Sequence, residues 1–279
     1  MLITERAGVQ TGVQHARIEA TFVRVRGQTQ IARSYASAPL KIARAFPLDD
    51  GKIGVCVMDS SPGMLAGDCY EFDWRLEPGA RVFLTNQSFT KVHPSRERPC
   101  SQIQKIAIAS DALLELLPEP VTLYSDAALT STSEIDIESG GTLLLSDILC
   151  AGRVARGEVF EFESWRSRLR VRYDGELVFA NQSILQPRCH DPRSHAGWGD
   201  STYLGNLYLF TDTLSAPLWN ELLTQLRDVL ELFPTVRGGA SLLERHGLAV
   251  SLLGARAYDL QQVVHALREN IRAFLPPGT

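Results

Sequence analysis

Three segments in the middle of the chain repeat one pattern: an alternating strand, a short turn of small residues, then a more apolar strand. They are CYEFDWRLEPGARVFL from Cys69, SQIQKIAIASDALLEL from Ser101 and STSEIDIESGGTLLLS from Ser131. Their turns, Pro78-Gly79-Ala80, Ser110-Asp111-Ala112 and Ser139-Gly140-Gly141, recur about every 30 residues. A looser fourth copy, RLRVRYDGELVFANQ from Arg168, turns at Asp174-Gly175, a two-residue hairpin signal. One such unit cannot bury its apolar face alone, whereas units stacked at a fixed period share a continuous core. In the first copy Tyr70, Phe72, Trp74 and Leu76 fall on one face of a period-two strand, and Glu71, Asp73 and Arg75 on the other. The expected architecture is therefore a stacked β structure, either solenoid-like or a sandwich-like sheet pair. An ordinary antiparallel meander, which also repeats strand, turn and strand, is the competing explanation.

The last third changes character. In PLWNELLTQLRDVLELF, from Pro217 to Phe233, Leu218, Leu222, Leu226, Val229 and Phe233 share a helical face. Pro217 suits a first helical turn and Pro234 marks the exit. A second helix is expected from about Tyr258 to Phe274, with Leu260, Val263, Val264, Leu267 and Ile271 apolar. A strand, GLAVSLLG from Gly247, separates them. The fold class is mainly β (α+β): a stacked β region over about residues 17–210, then helix, strand and helix over about 215–275. Residues 1–279 read as a single domain. The tail after Leu275 is expected to fray, and the Pro/Gly-rich segment 186–205 to form a long mobile loop.

Composition narrows the function by exclusion. A net charge of −4 argues against nucleic acid as a primary partner, because phosphate binding needs a basic face. No apolar run approaches the roughly 18 residues that span a bilayer, and the N-terminus lacks the apolar core of a signal peptide. A cytoplasmic location is expected. Five scattered cysteines without a CxxC pair read as reduced, mostly buried thiols. The sequence contains no GxxxxGK[ST], GxGxxG, GxSxG or HExxH.

What remains are candidate sites with two readings each. Asp68 follows two glycines in PGMLAGD and is either a turn carboxylate holding backbone N–H groups or a functional acid. Thr85, Asn86, Gln87, Ser88, Thr90, Lys91 and His93 make a polar strand end: loop hydrogen bonding, a channel wall or a partner contact. No carboxylate in that motif orients His93 for acid–base work. Glu115, Glu119, Asp147 and Glu158 sit on or beside apolar strands, where carboxylates usually face solvent; a minority line an internal path for a cation. Cys189, His190, Asp191 and His195 are possible metal ligands, but their spacing matches no closed zinc pattern.

Four blocks, in order, resemble the urease accessory protein family UreD/UreH: SSPGMLAGDCYEFDW (60–74), LEPGARVFLTNQSFTKVH (76–93), ALLELLPEPVTLYSD (112–126) and DILCAGRVARGEVF (147–160). The strand GLAVSLLGARA also fits. Departures fall at Ala66, at Ser146-Asp147 and at Leu117-Pro118-Glu119-Pro120. The resemblance implies a mainly β, helical-solenoid-like fold with two helices. It implies a non-enzymatic metallochaperone scaffold that helps deliver nickel to apo-urease, bound to UreF and, through UreF, to the GTPase UreG in a hetero-oligomer. It also implies no tightly bound cofactor, only nickel in transit. Asp68, Asp147 and Glu158 are then the expected nickel-path residues, with Thr90 and Lys91 shaping the path. The competing functions are a stacked-β carbohydrate-binding or carbohydrate-active protein using Trp74, Trp165, Trp198 and Trp219, and a metal-dependent hydrolase using the Cys189–His195 loop.

Overall fold

The computed structural model describes residues 12–194 and 197–275. In chain order the strands are β1 (His15–Val25), β2 (Gln28–Ala36), β3 (Leu40–Pro47), β4 (Ile53–Asp59), β5 (Cys69–Leu76), β6 (Arg81–Asn86), β7 (Thr90–Val92), β8 (Cys100–Ile108), β9 (Leu113–Leu116), β10 (Val121–Leu123), β11 (Ala128–Ile137), β12 (Thr142–Cys150), β13 (Ser164–Tyr173), β14 (Glu176–Leu185) and β15 (Tyr203–Phe210). Helix α1 (Ala216–Glu231), strands β16 (Val236–Leu242) and β17 (Gly247–Gly254), and helix α2 (Ala257–Phe274) follow.

The 30-residue repeat is a true stack. The strands of one copy do not pair with each other. The turn carries the chain from a first sheet, ordered β14-β13-β11-β8-β5-β1-β2, to a second, ordered β16-β17-β15-β12-β9-β6-β4-β3. Each strand pairs in parallel with its counterpart in the next copy, aligning Trp74, Ile106 and Ile135 in the first sheet and Leu84, Leu116 and Leu145 in the second. The short strands β7 and β10 pair in parallel with each other and with the end of β12, a short branch of the second sheet.

The three turns share one hydrogen bond: the N–H groups of Ala80, Ala112 and Gly141 donate to the carbonyls of Glu77, Ala109 and Glu138 at 3.0, 3.2 and 2.9 Å. The preceding residue is left-handed in each, Gly79, Asp111 and Gly140, with φ of 68°, 59° and 80°. At Gly140 the stack also crowds a side chain, since a Cβ would lie 2.6 Å from Asp111 Oδ1 of the copy before. The fourth copy departs from this plan. Asp174 and Gly175, at φ 48° and 79°, turn the chain back within the first sheet, so β13 and β14 form an antiparallel hairpin at its edge.

Two cores result. Ile18, Trp74, Ile106, Ile135, Leu114 and Leu143 pack between the sheets. The outer face of the second sheet, including Leu144, Leu207 and Val250, packs against both helices. Helix α2 buries Leu260, Val263, Val264, Leu267 and Ile271, the face its periodicity predicts. In α1 Leu222, Leu226 and Val229 are buried, but Leu218 is exposed and Phe233 lies past the helix end. A hairpin separates the helices where one strand was expected: Gly238 and Gly239 mask β16 in the sequence, yet it pairs with β17 along its length. The expected loop 186–205 ends early, because Tyr203, Leu204 and Gly205 belong to β15. The fraying expected after Leu275 and the signal-peptide reading of the first eleven residues lie outside the described residues.

Candidate functional site

The inward face of the first sheet is apolar at one end and polar at the other. Its register rows show the change. Trp74, Ile106, Ile135, Val171 and Phe179 align across the sheet, as do Leu76, Ile108, Ile137 and Tyr173. Toward the strand starts the same inward positions become Phe72, Gln104, Ser133, Leu169 and Asn181, then Tyr70, Gln102, Ser131, Ser167 and Ser183. Amides and hydroxyls cannot pack against a second apolar surface without losing hydrogen bonds, so the two sheets leave space there.

The facing side of the second sheet continues the core leucines with polar groups. Leu145 on β12 is followed two residues on by Asp147, which stands opposite Asn206 on β15. Asn206 in turn faces the exposed Ser251 of β17, whose hydroxyl donates to Asn206 Oδ1 at 3.0 Å. The cavity between the two sheets measures about 170 Å³ and is lined by both. It reaches the surface beside Gln87, Ser88 and Lys91, which are exposed. Its lining contains no histidine or cysteine among the described residues.

The charged groups of this wall differ in how far they are committed. Asp59 accepts hydrogen bonds from Tyr70 Oη at 2.9 Å and the Ser61 N–H at 2.8 Å. Glu119 accepts from Gln261 Nε2 of α2 at 2.8 Å. The carboxylate of Asp147 has no hydrogen-bond or ion-pair partner among the described residues. Asp147 is half-buried, and desolvation pushes its pKa up to about 6, with no opposite charge beside it among the described residues.

The structure brings together three of the five expected residues: Asp147, Thr90 and Lys91 all line the cavity. Asp68 and Glu158 lie outside its lining. Asp68 is 2% exposed, and its two carboxylate oxygens accept the N–H groups of Gln14 and Leu65 at 2.9 and 2.8 Å. Glu158 accepts the Ser125 N–H at 2.5 Å and forms a close ion pair with Arg153. Its pKa is lowered: burial acts to raise it, and the Arg153 guanidinium and the Ser125 N–H outweigh that. Gly63, five residues before Asp68, is required by close approach, since a Cβ there would meet the Lys91 carbonyl oxygen at 2.5 Å.

Sequence reasoning missed Gln104, Ser133, Asn181 and Asn206. The signal was present in SQIQKIAI and STSEIDI, where polar residues occupy the phase that isoleucines continue. Glu115 has a different role from the expected solvent-facing carboxylate. It is fully buried, paired with Lys52 and with Arg268 of α2, and clamps that helix to β9.

The four tryptophans form no exposed platform: Trp74, Trp165 and Trp198 are buried, and Trp219 is half-buried against the helical core. In the 186–202 loop Cys189 is exposed, and His195 lies outside the described residues. No group of three or more metal-ligating side chains converges among the described residues. Cys69, Cys100 and Cys150 are buried free thiols, as expected, and Cys56 is half-buried. No helix among the described residues is long and apolar enough to cross a membrane.

The profile of the UreD urease accessory protein family matches residues 14–277. The urease accessory protein UreD of Acetivibrio thermocellus is 31% identical over 87% of this chain and 91% of its own length. UreD of Haloarcula marismortui is 29% identical, over 92% and 86%. UreH of Helicobacter pylori is 26% identical, over 88% of each.

Proposed function

The chain belongs to the UreD family of urease accessory proteins, and from that premise we propose that it is a non-enzymatic scaffold that passes nickel to apo-urease through the cavity between its sheets. The observation that carries this reading is Asp147, an unpartnered carboxylate on the wall of a polar passage inside a β stack. Nickel binds imidazole and thiolate more tightly than carboxylate or water. A wall of amides, hydroxyls and one free carboxylate, without histidine or cysteine, gives a cation a low-affinity resting place it can leave. Above about pH 6 Asp147 is ionised and attracts the cation. Thr90 and Lys91 shape the end that reaches the surface. Asp68 and Glu158 enter this proposal in another capacity. Each already holds protein groups, so a passing cation would have to exchange with Gln14 and Leu65, or with Arg153 and Ser125.

The same proposal places the chain in the cytoplasm in a complex with UreF, with UreG joined through UreF, and with the urease apoprotein. The test is urease co-expressed with its other accessory proteins, with and without this chain, scored by activity and bound nickel. Nickel-free urease only when the chain is missing supports the reading; equal nickel loading in both overturns it.

A further inference from the structure

The segment WRSRLRVRY of β13 places Arg166, Arg168, Arg170 and Arg172 at alternate positions, and all four point out of the first sheet, away from both cores. Side chains of Arg168, Arg170 and Arg172 retain 47%, 43% and 35% of their accessible surface. On β11 their register partners are Thr130, Thr132, Glu134 and Asp136. Beyond β11, Lys105 of β8 stands opposite Glu134. The next carboxylate along the sheet, Asp73, is engaged by Arg75 at 3.1 Å.

Asp73 stands opposite Lys105 but is held by Arg75, so five cations are left to Glu134 and Asp136. The ion pairs they form are long: Glu134 lies 3.9 Å from Arg168 and Arg170 and 3.3 Å from Arg172, and Asp136 lies 3.8 Å from Arg172. Three positive charges stay uncompensated on one face of a chain whose net charge is −4. Like charges spaced along one strand repel, and the two carboxylates offset that repulsion only in part. On the other flank the edge strand β14 offers Ala180 and Gln182 between two exposed aliphatics, Leu177 opposite Arg172 and Ile184 opposite Arg166. Arginine beside solvent-exposed aliphatic groups is the composition of a protein-binding surface, and its planar fork suits carboxylates.

We infer that this arginine row docks an acidic, extended segment of a partner protein, with carboxylates on Arg166–Arg172 and aliphatic side chains against Leu177 and Ile184. Charge complementarity selects an acidic partner, and the aliphatic flanks select a polypeptide over a nucleic acid. The site is separate from the cavity, and the inference does not depend on nickel transfer.

The test uses the full chain and a fluorescein-labelled peptide, Leu-Thr-Glu-Thr-Glu-Thr-Glu-Thr-Leu, followed by anisotropy. Binding is expected, weakened by added salt and weakened about tenfold in the R168Q/R170Q double variant. E134Q, which removes an internal competitor, is expected to bind more tightly; this opposite-sign variant keeps the test decisive should the double variant fold poorly. No binding by the native chain overturns the inference. So does binding indifferent to both variants, or equal binding of the peptide with lysine in place of glutamate. Equally tight binding of a nine-residue oligothymidylate would make the row a general polyanion surface and also overturn it.

Discussion

Asp147 and Asn206 stand opposite each other across the antiparallel β12–β15 pair, and both side chains line the polar cavity between the sheets. Asn206 is bonded onward to Ser251. Asp147 is left as an uncompensated acid, and that condition is measurable. Its folded pKa of about 6 lies above the usual value of about 3.9 for an unfolded aspartate. The native state therefore holds the proton more tightly. The resulting stabilisation is full below about pH 4 and lost as the pH rises through about 6. D147N has no such loss. Denaturant unfolding from pH 4 to 7.5 should show D147N gaining on the native protein across that window, by up to about 3 kcal/mol at the top. Parallel curves would show that Asp147 is not buried as an acid.

Blocking the cavity separates passage from folding. Ser133 lies on its wall between Gln104 and Leu169. Phenylalanine at that position fills space with apolar surface, so S133F should keep the native melting temperature within a few degrees. Nickel in co-expressed urease should fall at least tenfold. A folded S133F that loads urease normally would show that metal does not travel through this space.

Asp68 is expected to matter first for the fold. In D68A the N–H groups of Gln14 and Leu65, both exposed residues, lose their acceptors, at roughly 0.5–1.5 kcal/mol each. D68N retains one acceptor oxygen and should lose less. A bulky apolar residue would also have to fit a site that is 2% exposed, so D68L should destabilise most. Denaturant midpoints for the three variants should order D68N, D68A, D68L. Unchanged midpoints would return Asp68 to a direct role in transfer.

Glu115 joins the stack to the last helix. Removing it leaves the buried Lys52 without its counter-charge and takes one of two carboxylate partners from Arg268, and E115A should cost about 3–5 kcal/mol. Glu115 has a lowered pKa: burial acts to raise it, and the charges of Lys52 and Arg268 outweigh that. A depressed carboxylate contributes stability above its unfolded pKa of about 4.3 and loses it as the pH falls through the lower folded value. Hydrogen exchange in α2, measured against the intrinsic rate at each pH, should therefore accelerate on acidification in the native protein. In E115A it should already be fast at neutral pH. Equal protection in both would remove Glu115 from the docking of α2.

Local information made much of the fold legible. Period-two alternation in β5, the turn residues Gly79, Asp111 and Gly140, and the spacing of Leu260 to Ile271 are set by neighbours a few residues away. The same is true of the Asp174-Gly175 hairpin. Strand β16 was illegible because its glycines lack β propensity, and pairing with β17 overrides that. The cavity was half legible. Polar residues in the inward phase of β8 and β11 were visible in the sequence, but their meaning depended on which sheet faced them.

By itself the sequence determined the repeat, the turns that permit stacking, the two amphipathic helices and the family likeness. Each is a matter of order and spacing along one chain. Only the tertiary structure decided what each carboxylate does. Asp68, Glu115, Asp147 and Glu158 are alike as residues in or beside strands. The folded chain gives them backbone N–H groups, two cations, no hydrogen-bond or ion-pair partner among the described residues, or an arginine. The free energy of a carboxylate depends on the dielectric and charges within a few ångströms of it, and the folded stack sets both.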